Sequence, residues 1–174
     1  ELFSNYLICV FKANLYVYNL STEAVSVQAS AVTSQTDRFQ ILVSKMLDIS
    51  IILVNTNQST TEDIKAYEFD ISTLIITNKV FVWLTDKNFK CWAFKWWRLL
   101  LWWNPKASSV LYYSRISTST TPWYWYDFSA YEAWSQVIWD WYPIVSFASN
   151  NTEFFIFKES SVWELKFSNI TFGQ

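Results

Sequence analysis

The chain has 174 residues, of which 52% are hydrophobic, 21% aromatic and 16% charged, and its formal net charge is −2. This length suits one domain with a substantial core, and we expect residues 1–174 to form a single domain. A disordered chain is excluded, because ample apolar surface is present to offset the entropy of ordering. No apolar run approaches the roughly 20 residues that a membrane-spanning helix needs, so we expect no transmembrane span.

Several residue types needed for common enzyme chemistry are missing or scarce. Histidine is absent, and glycine occurs once, at Gly173. Without histidine there is neither a Ser-His-Asp triad nor an imidazole metal ligand. Phosphate-cradling and dinucleotide-binding loops need several glycines, because the backbone must approach the ligand closely. We therefore expect no metal site, no cofactor and a non-enzymatic role.

The N-terminal third of the chain predicts β-strands at residues 6–11, 15–18 and 25–32. Asn and Ser between them supply the turn chemistry that glycine usually provides. The third run alternates apolar and polar residues, which indicates a strand with one face in water.

The next part of the chain predicts a helix followed by three strands. Thr36 is a candidate helix cap, and four apolar residues follow it at helical spacing: Phe39, Leu42, Val43 and Met46. Strands are predicted at 51–54, 64–69 and 74–83, the last with a break or turn at 77–79.

Residues 89–103 form the most aromatic stretch, with five tryptophans, three leucines, three cations and no carboxylate. Wound as a helix, this stretch has one apolar face, and Lys90, Lys95 and Arg98 spread over the other side. We expect it to be buried, because a folded chain rarely leaves so large an apolar stripe uncovered. The alternative is contact with a membrane surface, where these three cations would form an anionic-surface patch.

The C-terminal part predicts one helix and a three-stranded meander. Ser129 to Glu132 reads as a capping box for a helix that Pro143 ends. Strands follow at 144–148, 153–157 and 162–167. The fold expected for the whole chain is mainly β, an antiparallel sandwich or barrel with one or two short helices. An α+β fold with an antiparallel sheet is the alternative.

The run Trp123-Tyr124-Trp125-Tyr126 is the strongest candidate for a ligand-stacking site. If it is extended, the two tryptophans project from one face and the two tyrosines from the other. Aromatic side chains spaced in this way form a platform for sugar rings, bases or an apolar protein partner. The alternative, which aromatic side chains more often adopt, is that these rings belong to the core. The sequence therefore predicts a binding or assembly domain, a structural subunit that works through an aromatic-rich surface.

Three other functions remain open. They are a secreted carbohydrate-binding protein, a protein associated with a membrane interface, and a glycoside hydrolase. The hydrolase would need two acids in an aromatic cleft, drawn from Asp127, Glu132 and Asp140. Nucleic acid is disfavoured as a partner, because the net charge is negative and only one patch is basic. The expected partner is a protein or a glycan.

The expected location depends on two features of the sequence. Four glycosylation sequons begin at Asn19, Asn57, Asn150 and Asn169, and they favour a secreted protein. Cys9 and Cys91 are expected to be buried free thiols by default, and they are candidates for one disulfide if the chain is secreted. The alternative is an organelle-encoded assembly subunit. Abundant Phe, Tyr, Ile and Asn is typical of an AT-rich genome, and twelve tryptophans fit such a genome if a stop codon is read as Trp. An artificial sequence would explain the same composition.

Overall fold

The structure is a computed structural model, and it describes residues 2–28, 40–46, 49–55, 64–84, 89, 91–102, 104, 106–129, 134–137, 142–150 and 153–164. Of these residues, 60% lie in strands and 4% in a helix. The helical residues form a short 3₁₀ helix, Pro122–Tyr126. The protein is therefore mainly β, as the sequence predicts.

The strands form four open antiparallel sheets, and in each sheet the strands follow one another in chain order. Sheet I contains β1 (Leu2–Phe3), β2 (Tyr6–Phe11), β3 (Asn14–Asn19) and β4 (Val25–Gln28). Sheet II contains β5 (Gln40–Met46), β6 (Ile49–Asn55), β7 (Lys65–Asp70) and β8 (Ile75–Lys79). Sheet III contains β9 (Cys91–Lys95), β10 (Arg98–Trp102), β11 (Val110–Tyr113) and β12 (Trp134–Val137). Sheet IV contains β13 (Ile144–Ser149), β14 (Phe154–Lys158) and β15 (Val162–Glu164). Among the described strands, none closes a sheet into a barrel.

Sheet II lies between sheets I and III and is covered on both faces. Because side chains alternate along a strand, β6 directs Ile52 and Val54 towards sheet I. It directs Ile51 and Leu53 towards sheet III. All four side chains are buried. Burying an aliphatic side chain of this size stabilises the fold by about 1.5–3 kcal/mol.

Sheet III lies in the same way between sheets II and IV. Its strand β10 directs Leu99 and Leu101 towards sheet II. It directs Leu100 and Trp102 towards sheet IV, where they pack with Ile156 of β14. The sheets therefore pack face to face in chain order, as a sandwich-like stack with three apolar interfaces.

Two hairpins turn through left-handed residues that are not glycine. Lys12 and Ala13 join β2 to β3 with φ values of 46° and 68°, and Trp96 and Trp97 join β9 to β10 with 49° and 61°. A two-residue type I′ turn needs positive φ at both central positions, which is why Asn-Gly is preferred there. A side chain with a Cβ costs roughly 1–2 kcal/mol in this region. In these two turns, residues with a Cβ occupy positions that glycine would occupy without this cost.

Most of the predicted strands are confirmed. The structure has strands at or within one residue of the predicted 6–11, 15–18, 64–69, 144–148 and 153–157, and the longer β6 at 51–54. β15 covers 162–164 of the run predicted at 162–167, whose other residues lie outside the described ranges, and β8 covers only 75–79 of the strand predicted at 74–83. Of the run predicted at 25–32, β4 covers 25–28, and residues 29–32 lie outside the described ranges. The predicted break at 77–79 is wrong, because these residues continue β8 in register with β7. They are polar because β8 is an edge strand of sheet II.

The helix predicted behind Thr36 is wrong where the structure describes it. Residues 40–46 form β5, which pairs with β6 over its full length. Ile41 and Val43 pack on the core between sheets I and II, at the two-residue spacing of a strand. The apolar residues fit both periods, and pairing with β6 selects the strand. Thr36 and Phe39 lie outside the described residues.

The helix predicted after Ser129 is also wrong where the structure describes it, and residues 89–103 do not adopt the helical winding used above to describe their faces. Trp134–Val137 form β12, paired with β11, in place of a helix after the Ser129 capping box. Residues 130–133 and 138–141 lie outside the described ranges. Within 89–103, residues 91–95 and 98–102 form the β9–β10 hairpin. A run that is apolar on all sides suits a doubly buried strand as well as a helix, and sheet III lies between two others.

Candidate functional site

The predicted stacking run forms a 3₁₀ helix, with Pro122 in its first turn and the Asp127 N–H donating to the Tyr124 carbonyl at 3.1 Å. It is not extended, so its side chains do not alternate. Trp123 is 47% exposed, whereas Trp125 is fully buried. The two tryptophans therefore do not share an exposed face, and the expected two-ring platform is not formed.

Trp125 belongs to the core between sheets II and III. Its indole Nε1 donates to Glu68 Oε1 at 3.0 Å, and Glu68 Oε2 forms a 2.6 Å salt bridge with Lys79 Nζ. The Phe81 and Phe94 rings meet its ring edge to face, with centroids at 6.5 and 6.2 Å. These contacts give Trp125 the apolar packing and the N–H partner that a buried indole needs. They fix the 3₁₀ helix against sheets II and III.

The two tyrosines of the run are covered by neighbouring groups. The Arg115 guanidinium lies 3.6 Å from the centroid of the Tyr124 ring, and its Nη1 pairs with Asp127 Oδ2 at 3.2 Å. The Tyr126 ring packs edge to face on Trp125 at 5.1 Å. Trp123 is thus the member of the run that is most available for stacking.

Of the three acids considered for hydrolysis, the structure describes only Asp127, so it shows no pair of carboxylates. Asp127 holds Arg115 with one oxygen and accepts the Ser129 N–H with the other at 2.8 Å. Both oxygens of the Asp127 carboxylate therefore bind groups of the protein, and these contacts stabilise the end of the 3₁₀ helix. Glu132 and Asp140 lie outside the described residues.

The predicted cationic patch is divided between different environments. Lys90 lies outside the described residues, and Lys95 is half-buried on β9. Arg98 is buried, donates through Nη1 to the Ser114 carbonyl, and lies 5.3 Å from the Tyr113 ring centroid. Burial raises the pKa of Tyr113, and the Arg98 charge beside it acts in the opposite direction. The Arg98 guanidinium therefore binds groups inside the protein, and its charge is not available to an anionic surface.

The structure describes two of the four sequon asparagines, Asn19 and Asn150, and each stabilises a turn through side-chain hydrogen bonds. Asn19 Oδ1 accepts two backbone N–H groups of the β3–β4 turn, at 2.9 and 3.2 Å. Asn150 Oδ1 accepts the Glu153 N–H at 2.7 Å, and its Nδ2 donates to Glu153 Oε2 at 2.6 Å. Asn57 and Asn169 lie outside the described residues. The structure explains Asn19 and Asn150 without a glycan.

Cys9 and Cys91 are both thiols, and no disulfide joins them. Cys9 is on β2 of sheet I and Cys91 on β9 of sheet III, so sheet II separates them. The packing order of the sheets keeps the two sulfur atoms apart. The candidate Cys9–Cys91 bridge is not formed, and both cysteines are free thiols, which is the default that the sequence predicts.

A surface that the sequence did not single out is the side of sheet I that faces away from sheet II. We call it the outer face. Strand register places eight side chains on it: Leu7, Cys9, Phe11, Asn14, Tyr16, Tyr18, Val25 and Val27. Phe11 is 60% exposed, Val25 53% and Val27 50%. None of the eight is charged. The structure thus exposes an apolar, aromatic sheet face.

The alternation of apolar and polar residues over 25–28 correctly predicts a strand, β4. Its two valines, however, lie on the outer face and not towards sheet II. Ser26 pairs with Val17, whose side chain is buried towards sheet II, so Ser26 shares the inner face. Val25 and Val27 pair with Tyr18 and Tyr16 on the outer face. The signal was present in β2, whose Leu7 and Phe11 are apolar on the side opposite Ile8, in the manner of a doubly covered strand.

Comparison with known protein families, curated proteins and solved structures finds no match for this chain. Within the described ranges, no helix has the length and apolarity to cross a membrane.

Proposed function

We propose that this protein is a non-enzymatic assembly domain, a structural subunit whose outer face is covered by a protein partner. The observation that carries the proposal is the exposure of Phe11, Val25 and Val27 on one sheet face whose eight strand side chains carry no charge. Contiguous apolar patches on folded proteins mark interaction sites, because leaving them in water costs free energy.

Comparison of strands within the molecule supports this proposal. Residues 51–54 of β6 and 99–101 of β10 are apolar on both sides, and a neighbouring sheet covers each side. β2 has the same two-sided pattern, with Ile8 facing sheet II and Leu7 facing outwards. A strand of this composition is expected to be buried on both faces. In this chain sheet II covers one face of β2, and a partner is expected to cover the other.

The chemistry of the outer face favours a protein partner over an anionic one. Binding to phosphates or to anionic lipid headgroups depends on Lys and Arg at the contact. Lys12 of the β2–β3 turn lies at the edge of this face, with its Nζ 5.4 Å from the Phe11 ring centroid, but the eight strand side chains include no cation. They offer aliphatic and aromatic contacts, which are typical of the fully buried centre of protein interfaces.

The proposal predicts that the outer face dominates the apolar surface of the dilute protein. A dye that fluoresces on exposed apolar surface should bind the wild type strongly. Replacing Val25 and Val27 with Lys should abolish most of this signal, because two charges interrupt the patch. Far-ultraviolet circular dichroism should show that the strand content is retained.

The matched control replaces Ile75 and Val80 with Lys. These aliphatic side chains are 58% and 66% exposed, and they lie outside sheet I. We expect this control to keep most of the dye signal. Equal signals from the two double variants would show that the outer face is not the apolar surface of the protein, and would overturn the proposed function.

A further inference from the structure

We draw no further inference here: the strongest candidate, the outer face of sheet I, belongs to the function already proposed, and nothing in the structure shows what covers it.

Discussion

Trp97 shows at the scale of one residue how this chain folds with almost no glycine. It lies at the second position of the β9–β10 turn with φ at 61°, and its side chain is 52% exposed. Trp97→Gly should raise the free energy of unfolding by about 1 kcal/mol, because glycine has no Cβ to clash in the left-handed region. Urea denaturation of the two proteins measures this difference.

The control for this prediction is Trp123→Gly. Trp123 has a similar exposure of 47%, but it lies in the 3₁₀ helix and not in the left-handed region. Here glycine should lower the free energy of unfolding by about 1 kcal/mol, through added freedom of the unfolded chain. Changes of the same sign at both positions would mean that strain in the turn does not decide the effect.

Asp70 is a second residue whose role is local. Its Oδ1 accepts the Ser72 hydroxyl at 2.7 Å, the Ser72 N–H at 2.8 Å and the Thr73 N–H at 3.3 Å, which closes the β7–β8 turn. These hydrogen bonds, first those of Ser72 and then those of Thr73, lower the pKa of Asp70 from 3.8 to about 2. The ionised carboxylate therefore stabilises the folded state.

The pH dependence follows from the direction of this shift. Because the pKa of Asp70 is lower in the folded state, its contribution is fully present above pH 3.8 and is lost as the pH falls through about 2. The difference in unfolding free energy between the wild type and Asp70→Asn should narrow over that interval. Denaturant titrations at several pH values measure it, and a difference independent of pH would contradict the assigned hydrogen bonds.

At the scale of the element, local patterns predict strands whose neighbours in sequence are also their neighbours in the sheet. β2 and the three strands of sheet IV have β-rich runs bounded by Asn and Ser turns, and the structure confirms them. The errors at β5 and β12 concern segments in which a candidate cap followed by apolar residues at helical spacing favours a helix. Their state depends on pairing and on burial by other sheets, which one segment does not encode.

The stacking run at 123–126 and the outer face are visible in the sequence as aromatic or apolar residues, but their exposure is not, because it depends on tertiary packing. The sequence identifies Trp123 to Tyr126 as aromatic, but the burial of Trp125 depends on Glu68, which is 57 residues away in sequence. In the sequence, the outer face is indicated by apolar residues on both sides of β2 and by tyrosines on one side of β3. Which side sheet II covers, and which side stays open, depends on tertiary packing.

At the scale of the whole molecule, the sheets form a stack in which each interface joins consecutive sheets. Stacked repeats contact only their neighbours, so a stack needs polar outer faces at its ends to remain separate in water. Sheets II and III are covered on both sides. The outer face of sheet I is an end of the stack that exposes mostly aliphatic and aromatic side chains, and this is the basis of the proposed assembly role.

Lysine substitutions at adjacent positions test this arrangement most directly, because neighbours on a strand point to opposite faces. On β6, both Ile51→Lys and Ile52→Lys should lower the unfolding free energy by more than about 4 kcal/mol, since each would bury a charge. On β2, Ile8→Lys should be equally damaging, whereas Leu7→Lys should cost less than about 1 kcal/mol in the dilute monomer. Denaturant unfolding of the four variants gives these values. A Leu7→Lys variant as unstable as Ile8→Lys, or a tolerated lysine at either position of β6, would contradict the stack and its open outer face.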